Sequence, residues 1–405
     1  MKVTFIHAAD LHLGTPFRGL GKTQSWLRDR LVWAGFQAFR SLVDLAREAD
    51  FLLLAGDVLE VDYPHLRAQL ELVKGLKALS REGVRTFMVA GNHDPFPVWR
   101  EVPFPQGVSL FSPRGGVEEV VLDGGRVSIS GISHGEKRVK ENLVRRLVPG
   151  EGDLRLALIH AYLQGREGHD PYAPCSWGDF VAKGRRFDYW ALGHIHKREE
   201  VLEDPWVVYP GNIQGRHPGE GGMKGCYKVV WEEGALEVEF CPLSPVVWET
   251  RTLDIGDVED VGALAELLEA LKEEVRWQGG TLLRVFLEGS SPLYTLDQEA
   301  WEQVEDMLNQ GEDRDDFVWL TLEDRVSRPM DLEELVEKED FLVCLMAQAK
   351  SLEDGLEDIL ESGELSTLWG RKDVARWIGG LTPEEKRTLV DKALKRALSL
   401  MLVER

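Results

Sequence analysis

Long hydrophobic runs, a secretory leader and paired cysteines are all missing from this sequence of 405 residues. No apolar stretch approaches the roughly 18 residues that a transmembrane helix needs, so we expect no membrane-spanning segment. Residues 1–6 enter a strand directly, without the apolar core and cleavage site of a signal peptide. The four cysteines, Cys175, Cys226, Cys241 and Cys344, are scattered and form no Cys-x-x-Cys pair. This pattern indicates a protein of the reducing cytoplasm.

A basic surplus is also missing, because the formal net charge is −22. Such a charge usually disfavours a nucleic-acid partner. Its distribution matters, however: residues 1–250 hold 30 Lys and Arg against 33 Asp and Glu, while residues 251–405 hold 18 against 37. The acidic surplus therefore belongs to the C-terminal part, which suits a protein partner better than DNA. The nearly neutral N-terminal part remains compatible with DNA.

Apolar runs in the first hundred residues predict buried strands at 3–10, at 51–55 and at 86–90. Helical spacing of apolar residues at 24–49 and 66–80 separates these strands. Continuous apolar strands that alternate with helices predict a mostly parallel sheet covered on both faces. After about residue 107, short strands and Gly-rich turns predict a second sheet packed against the first.

The composition changes near Pro242–Pro245, and we expect three regions. Residues 1–245 form the first domain, 246–330 a smaller α+β unit, and 331–405 an acidic helical region. The last helix starts with Thr382 as N-cap, Pro383 in the first turn and Glu385 completing a capping box. Its apolar stripe is either buried in its own domain or packs on a partner helix; it comprises Leu389, Val390, Ala393, Leu394, Leu398 and Met401.

Polar side chains follow five of the predicted strands. They are Asp10, His12, Asp57, Asn92, His93, Asp94, His160, His194 and His196, and they include five of the ten histidines of the chain. Functional groups of α/β proteins gather at the carboxyl ends of strands. A lone histidine is more often packed or solvated. The pairs Asp10-x-His12 and His194-x-His196 differ, because alternate residues of an extended segment point to the same side.

This combination of side chains predicts a metal site. Carboxylate, imidazole and amide oxygen ligands suit Mn, Fe or Zn rather than a soft thiolate site. Seven plausible ligands exceed the needs of one ion. We therefore expect two divalent ions, about 3.5–4 Å apart, that share a carboxylate.

The order Asp-x-His, Gly-Asp, Gly-Asn-His-Asp, lone His and Gly-His-x-His resembles the calcineurin-like metallophosphoesterase superfamily. The match covers residues 1 to about 245. Within the superfamily, segments 5–20 and 209–217 are similar to bacterial DNA-repair exonucleases of the SbcD type, most closely to the YhaO branch. The resemblance implies a four-layer α/β sandwich of two mixed sheets flanked by helices. It also implies a smaller α+β capping domain and a helical C-terminal tail.

The resemblance further implies two ligand sets, which share Asp57 as a bridge. The first is Asp10, His12, Asp57 and His196, and the second is Asp57, Asn92, His160 and His194. His93 would lie beside the scissile phosphate and protonate the leaving oxygen. Asp94 would either orient His93 or cap the turn. Manganese is the expected metal, with iron or zinc as alternatives.

Candidate DNA contacts lie outside the metal site. The loop residues Gly211, Asn212 and Arg216 could meet a phosphate backbone, or form an ordinary Gly-rich turn. Further basic candidates, for which a solvated face is the alternative, are Arg18, Lys22, Lys137, Arg138, Lys140, Arg145 and Arg146. One departure concerns chemistry: SbcD-type nucleases typically carry a further His shortly after Gly-Asp. This chain has Val58-Leu59-Glu60 there, and His65 lies too far on to be assigned that role.

The expected function is a Mn-dependent DNA exonuclease in DNA repair. By resemblance it would act with an SMC-like ATPase, for which the acidic C-terminal region is a candidate binding region, and would form a homodimer. One alternative keeps the phosphodiesterase chemistry but changes the substrate to small nucleotides or phosphoproteins. Another is a non-catalytic, metal-containing scaffold for the ATPase.

Overall fold

A computed structural model describes residues 2–20, 24–62, 66–165, 170–182, 187–312 and 315–329. The predicted helical region 331–405, with its cap and apolar stripe, lies outside these residues, as do Lys22 and His65. The chain divides into two compact units. The first comprises residues 1–251, 269–285 and 307–321; the second comprises 252–268, 286–306 and the described residues from 322 onward. The predicted domain boundaries at 245 and 330 remain a prediction.

The described residues contain fifteen strands and five α-helices. The strands are β1 (Lys2–Ala8), β2 (Phe51–Ala55), β3 (Arg85–Val89), β4 (Val108–Leu110), β5 (Gly116–Leu122), β6 (Gly125–Ile132), β7 (Leu154–His160), β8 (Tyr189–Gly193), β9 (Glu199–Glu203), β10 (Trp206–Tyr209), β11 (Gly225–Glu232), β12 (Ala235–Pro242), β13 (Val247–Asp254), β14 (Thr281–Ser290) and β15 (Val318–Ser327). The helices are α1 (Ser25–Ala46), α2 (Leu66–Arg81), α3 (Trp177–Phe180), α4 (Val261–Glu274) and α5 (Gln298–Leu308). None of these helices has the length and apolar character required to cross a membrane.

The first sheet has six strands in the order β12-β11-β1-β2-β3-β4. Strands β1 to β4 are parallel, with Phe5 opposite Phe51 and Leu54 opposite Met88. Strands β11 and β12 form an antiparallel hairpin that joins the edge of β1. Because β1, β2 and β3 run in the same direction, their carboxyl ends lie at one edge of the sheet.

The second sheet also has six strands, in the order β5-β6-β7-β8-β10-β9. Strands β6, β7, β8 and β10 are parallel, while β5 and β9 are antiparallel to their neighbours. His160 of β7 lies opposite Gly193 of β8, so these two strands end at the same level. A third sheet has three strands in the order β13-β14-β15.

Three apolar cores separate the layers of the first unit. One packs α1 and α2 on a face of the first sheet, with Phe39 and Leu76 buried against Leu52 and Met88. The second lies between the two sheets and includes Phe5. The third covers the outer face of the second sheet, where Trp190 contacts Phe180 of α3. These cores give four layers: helices, sheet, sheet and the short helical segments outside the second sheet.

The expected α/β architecture with two mixed sheets is confirmed. The predicted strand at 51–55 is found as expected. The mostly parallel pattern holds for the strands that carry the polar residues. Residues 247–327 contain three strands and two α-helices, an α+β composition of the kind predicted for 246–330.

Gly193 of the second sheet lies close against β2 of the first sheet. A Cβ atom at position 193 would be 1.9 Å from the carbonyl oxygen of Ala55. We expect Gly193→Ala to destabilise the protein by about 3 kcal/mol, since neither backbone can move without disturbing a sheet. Gly35→Ala in α1 is the matched control, because a Cβ there meets nothing within 4 Å. It should stabilise by about 0.5–1 kcal/mol through helix propensity. Urea denaturation measures both; equal effects would contradict the close approach.

Candidate metal centre and adjoining pocket

Five strand ends bring the predicted site residues together. Asp10 and His12 follow β1, Asp57 follows β2, and Asn92, His93 and Asp94 follow β3; His160 ends β7, and His194 and His196 follow β8. The first three strands belong to one sheet and the last two to the other. The site therefore lies where the carboxyl ends of both sheets meet.

The backbone at this edge is strained in a way that aims side chains into the site. Asp10, His12, Asp57 and His194 all have positive φ angles, of 54°, 42°, 51° and 104°. Residues with a Cβ atom rarely adopt this region, which costs about 1–3 kcal/mol each. Only two other non-glycine residues of the described chain, Ala173 and Glu233, share it. Such strain is typical of functional sites.

The first group of converging side chains contains Asp10, His12, Asp57 and His196. The Nε2 atoms of His12 and His196 are 3.2 Å apart. His12 Nε2 lies 3.8 Å from Asp57 Oδ2, and His196 Nε2 lies 4.0 Å from Asp10 Oδ1. Burial lowers the pKa of His12 to about 3, so its imidazole is neutral and has a lone pair to offer.

The second group contains Asp57, Asn92, His160 and His194. His160 Nε2 lies 3.2 Å from Asp57 Oδ2 and 3.0 Å from Asn92 Oδ1. The same Asn92 oxygen is 3.1 Å from His194 Nδ1. On its other side, the His160 ring donates from Nδ1 to the carbonyl oxygen of Ala55, which fixes the ring. Asp57 thus contacts both groups, in the position required of a bridging carboxylate.

The donor set fits divalent metal ions. Three clusters can hold an ion with ligand atoms within 4.8 Å of one another: Asp10 with His12 and His196, Asp10 with Asp57 and His160, and His12 with Glu60 and His93. Burial raises the pKa of Asp10 to about 6. A cation beside it would favour the ionised form. Imidazoles and buried carboxylates that converge in this way match the ligand preferences of Mn, Fe and Zn.

Glu60 holds the ring of His93, a contact that the sequence did not predict. Glu60 Oε2 lies 2.8 Å from His93 Nδ1 and 3.5 Å from His12 Nδ1. Burial alone would raise the pKa of Glu60, but these two hydrogen bonds hold it well below its usual range. For His93, burial lowers the pKa, yet the bond to Glu60 and the charge of Asp57 raise it overall. Glu60 occupies the segment in which SbcD-type nucleases typically carry a further histidine.

The hydrogen-bond partners of the Asp94 side chain are backbone groups of two neighbouring loops. Its carboxylate accepts hydrogen bonds from the backbone N–H groups of Asp57, Val58, Leu59 and Gly91. These bonds tie the loop after β2 to the loop after β3. Of the two roles left open for Asp94, these bonds favour the turn cap over the orientation of His93, and Glu60 is the carboxylate that contacts the His93 ring.

The loop after β10 supports His196 from behind. Gly211 packs so closely that a Cβ atom would lie 2.7 Å from the His196 carbonyl oxygen. Asn212 is fully buried and donates to the carbonyl oxygen of Gln214. Neither residue offers a surface to a substrate, so the alternative of a Gly-rich turn describes them better. The substrate contact predicted for Gly211 and Asn212 is therefore wrong.

Glu220 is the second carboxylate that the sequence did not reveal. It is 4% exposed, and its Oε1 lies 2.5 Å from His196 Nδ1. Its Oε2 accepts from the backbone N–H of Arg216 at 2.7 Å. A carboxylate behind a metal-binding imidazole fixes the orientation of the ring and raises its basicity. Arg216 remains near the site, with Nη2 3.4 Å from His196 Nδ1.

A pocket of about 700 Å³ opens beside the two groups. Its lining includes five of the site residues, Asp57, Asn92, His93, His194 and His196, together with Asp170, Tyr172, Lys197, His217, Gly219, Glu220, Gly221 and Lys224. Burial lowers the pKa of the Lys224 ammonium. A substrate in this pocket would contact His93 and the ligand groups together.

Three of the basic residues considered as DNA contacts are ion-paired. Lys137 lies 2.6 Å from Asp62, Arg145 lies 2.7 Å from Asp179, and Arg146 lies 3.1 Å from Glu141. Such pairs reduce the positive potential that a nucleic acid would meet. These pairs favour the alternative of a solvated face for the three residues, and DNA contact by the basic candidates stays a prediction.

Comparisons with known proteins agree with this geometry. Residues 3–198 match the calcineurin-like phosphoesterase family. The chain is 33% identical to the uncharacterized metallophosphoesterase YhaO of Bacillus subtilis over 414 aligned residues, which cover 98% of each chain. It is 24% identical to the DNA double-strand break repair protein Mre11 of Methanocaldococcus jannaschii, over 52% of this chain and 56% of that one. For the Mre11 protein of Sulfurisphaera tokodaii the identity is 28%, over 53% and 57%.

Metal binding can be tested by thermal unfolding. Mn²⁺ at about 100 times its dissociation constant should stabilise the protein by about 2.7 kcal/mol, and thus raise its Tm by about 3–5 °C. Asp57→Asn should abolish most of this rise and lower the metal content measured by mass spectrometry, because Asp57 contacts both ligand groups. Glu118→Gln, on the surface strand β5, is the control and should behave like the wild type. An unchanged Tm rise in Asp57→Asn would exclude the shared site.

Proposed function

Because the chain belongs to the calcineurin-like metallophosphoesterase family, we propose that it hydrolyses phosphodiester bonds of DNA as a Mn-dependent exonuclease. A metal-dependent phosphoesterase activity is what the family and the ligand groups support directly. The observation that carries the proposal is the position of His93. Its ring contacts Glu60, borders both ligand groups and faces the pocket.

In this proposal each of the two ligand groups would hold one metal ion. Asp10, His12, Asp57 and His196 would hold one ion, and Asp57, Asn92, His160 and His194 the other. When bound, divalent ions neutralise charge on the phosphate and activate the attacking water. Glu220 and the Ala55 carbonyl hold the His196 and His160 rings in place from the second side.

His93 is proposed as the proton donor to the leaving oxygen. Because Nδ1 is bonded to Glu60, Nε2 is the nitrogen left to meet the substrate. The bond to Glu60 and the charge of Asp57 raise the pKa of His93, which favours the protonated ring that an acid needs. A positioned acid of this kind contributes about 10²–10⁴-fold to the rate of a reaction with a poor leaving group.

DNA as the substrate, and a role in DNA repair, rest on similarity. Two of the relatives are named as DNA double-strand break repair proteins. An SMC-like ATPase partner, homodimerisation and a cytoplasmic location complete the proposal and rest on the sequence resemblance. The strongly acidic residues 251–405 suit contact with a protein better than with DNA.

A smaller phosphodiester is the second candidate substrate. The paired state of Lys137, Arg145 and Arg146 favours it, because a duplex needs an extended basic surface. The pocket of about 700 Å³ is within the range that suits a ligand of nucleotide size. The two candidates share the ligand groups and His93 and differ only in substrate.

Hydrolysis of a blunt, end-labelled duplex with Mn²⁺ tests the main proposal. Wild type should degrade the duplex, and His93→Ala should be slower by about 10²–10⁴-fold, because it lacks the proton donor. Glu118→Gln serves as the control, and bis(p-nitrophenyl) phosphate is assayed in parallel. Cleavage of the small diester alone would favour the second candidate. A metal-loaded protein that cleaves neither would support the scaffold alternative.

The role of Glu60 can be tested by comparing substrates with poor and good leaving groups. Glu60→Gln should slow cleavage of a dinucleotide by about 10-fold or more, and slow cleavage of bis(p-nitrophenyl) phosphate much less, because p-nitrophenolate needs little protonation. Since Glu60 raises the pKa of His93, its loss should also move the high-pH limb of the kcat profile to lower pH. Equal losses for both substrates with an unchanged pH profile would mean that Glu60 acts only on the fold.

A further inference from the structure

Only two lysines of the described chain are buried, and they differ in their partners. Lys272 is 2% exposed and forms an ion pair with Glu312 at 3.0 Å. Lys224 is 7% exposed, and among the described residues it forms no ion pair. Its Nζ donates to one acceptor, the carbonyl oxygen of His196, at 3.0 Å. A buried ammonium has three N–H donors and is rarely tolerated without a counter-charge.

The position of Lys224 indicates where that counter-charge comes from. Lys224 precedes β11 and lines the pocket beside the metal centre. The carbonyl that it binds belongs to His196, whose ring contributes to the first ligand group. Lys197 and His217 line the same pocket. Glu220, a buried carboxylate that lines the same pocket and whose charge acts on Lys224, is already bonded to His196 and Arg216.

We propose that the Lys224 ammonium binds a phosphate of the substrate that neighbours the phosphate being hydrolysed, an inference that rests on the phosphodiester hydrolase function proposed above. The neighbouring phosphate supplies the missing counter-charge and accepts the remaining N–H bonds. Charge-assisted hydrogen bonds are strong in a site that excludes water. Lys224 thereby selects substrates with successive phosphates over an isolated phosphodiester.

A purely structural role is the competing explanation. Lys224 could serve only to hold the backbone of His196, and in that case its loss would weaken the metal centre and all ligands equally. A specific phosphate contact predicts a different result: only ligands with a second phosphate should lose affinity. The two explanations are therefore separated by comparing ligands rather than by comparing activities.

The experiment measures binding of thymidine 3′,5′-bisphosphate, both thymidine monophosphates and inorganic phosphate to the Mn²⁺-loaded full chain by calorimetry. In the wild type the bisphosphate should bind about 10-fold or more tightly than either monophosphate. In Lys224→Met this advantage should fall to about 2-fold. Lys228→Met, four residues further along in β11 and outside the pocket, is the control and should keep it. Lys224→Arg should restore part of it.

Several outcomes would overturn the proposal. One is a wild type that binds mono- and bisphosphate equally. Another is an equal loss of affinity for inorganic phosphate and bisphosphate in Lys224→Met, which would place the lysine on the phosphate at the metal centre. Lys224→Gln, which keeps a donor for His196, is the second variant; unfolding of both variants would show a structural role. The experiment measures binding and not turnover. Its result for Lys224 can therefore be told apart from a failure of the protein to hydrolyse DNA.

Discussion

The burial of one carboxylate, Asp57, is the constraint on which the rest of the site depends. It follows β2, an inner strand of the first sheet. Its carboxylate lies within 4 Å of an imidazole from each ligand group. Its oxygen also accepts the N–H of His93 at 2.8 Å. A buried charge in this position requires compensation. The loops after β1, β3 and β8 and the end of β7 provide it, and the positive φ angles of Asp10, His12, Asp57 and His194 are part of its cost.

The fold supplies the rigidity that such strain requires. Parallel strands in both sheets end at one edge, and the close packing of Gly193 against Ala55 fixes the distance between the sheets there. The Asp94 carboxylate then joins two of the loops through backbone amides. The site is therefore built on strand ends and capped loops rather than on side chains alone, which is why rings such as His160 have one defined orientation.

Much of this could be predicted from the sequence, for a physical reason. Apolar strands that end in Asp10-x-His12 or His194-x-His196 carry both the fold signal and the chemistry, because strand ends converge in parallel sheets. Glu60 and Glu220 could not be found in this way. They follow no apolar run, and only the loop conformations bring them to His93 and His196. Lys224 was hidden for a similar reason, since nothing in the residues near it indicates burial beside a pocket.

The electrostatics of the assembled site also bear on the order of events. Asp10, Asp57, Glu60 and Glu220 place four buried carboxylates around the pocket, and a phosphate diester brings further negative charge. Repulsion between like charges is strong where water is excluded. Divalent ions held by the two ligand groups would offset this charge, so metal loading would favour the later binding of the substrate. A centre of this kind would couple metal loading to substrate affinity. Weakening a ligand such as Asp57 then impairs binding of the phosphate as well as its hydrolysis.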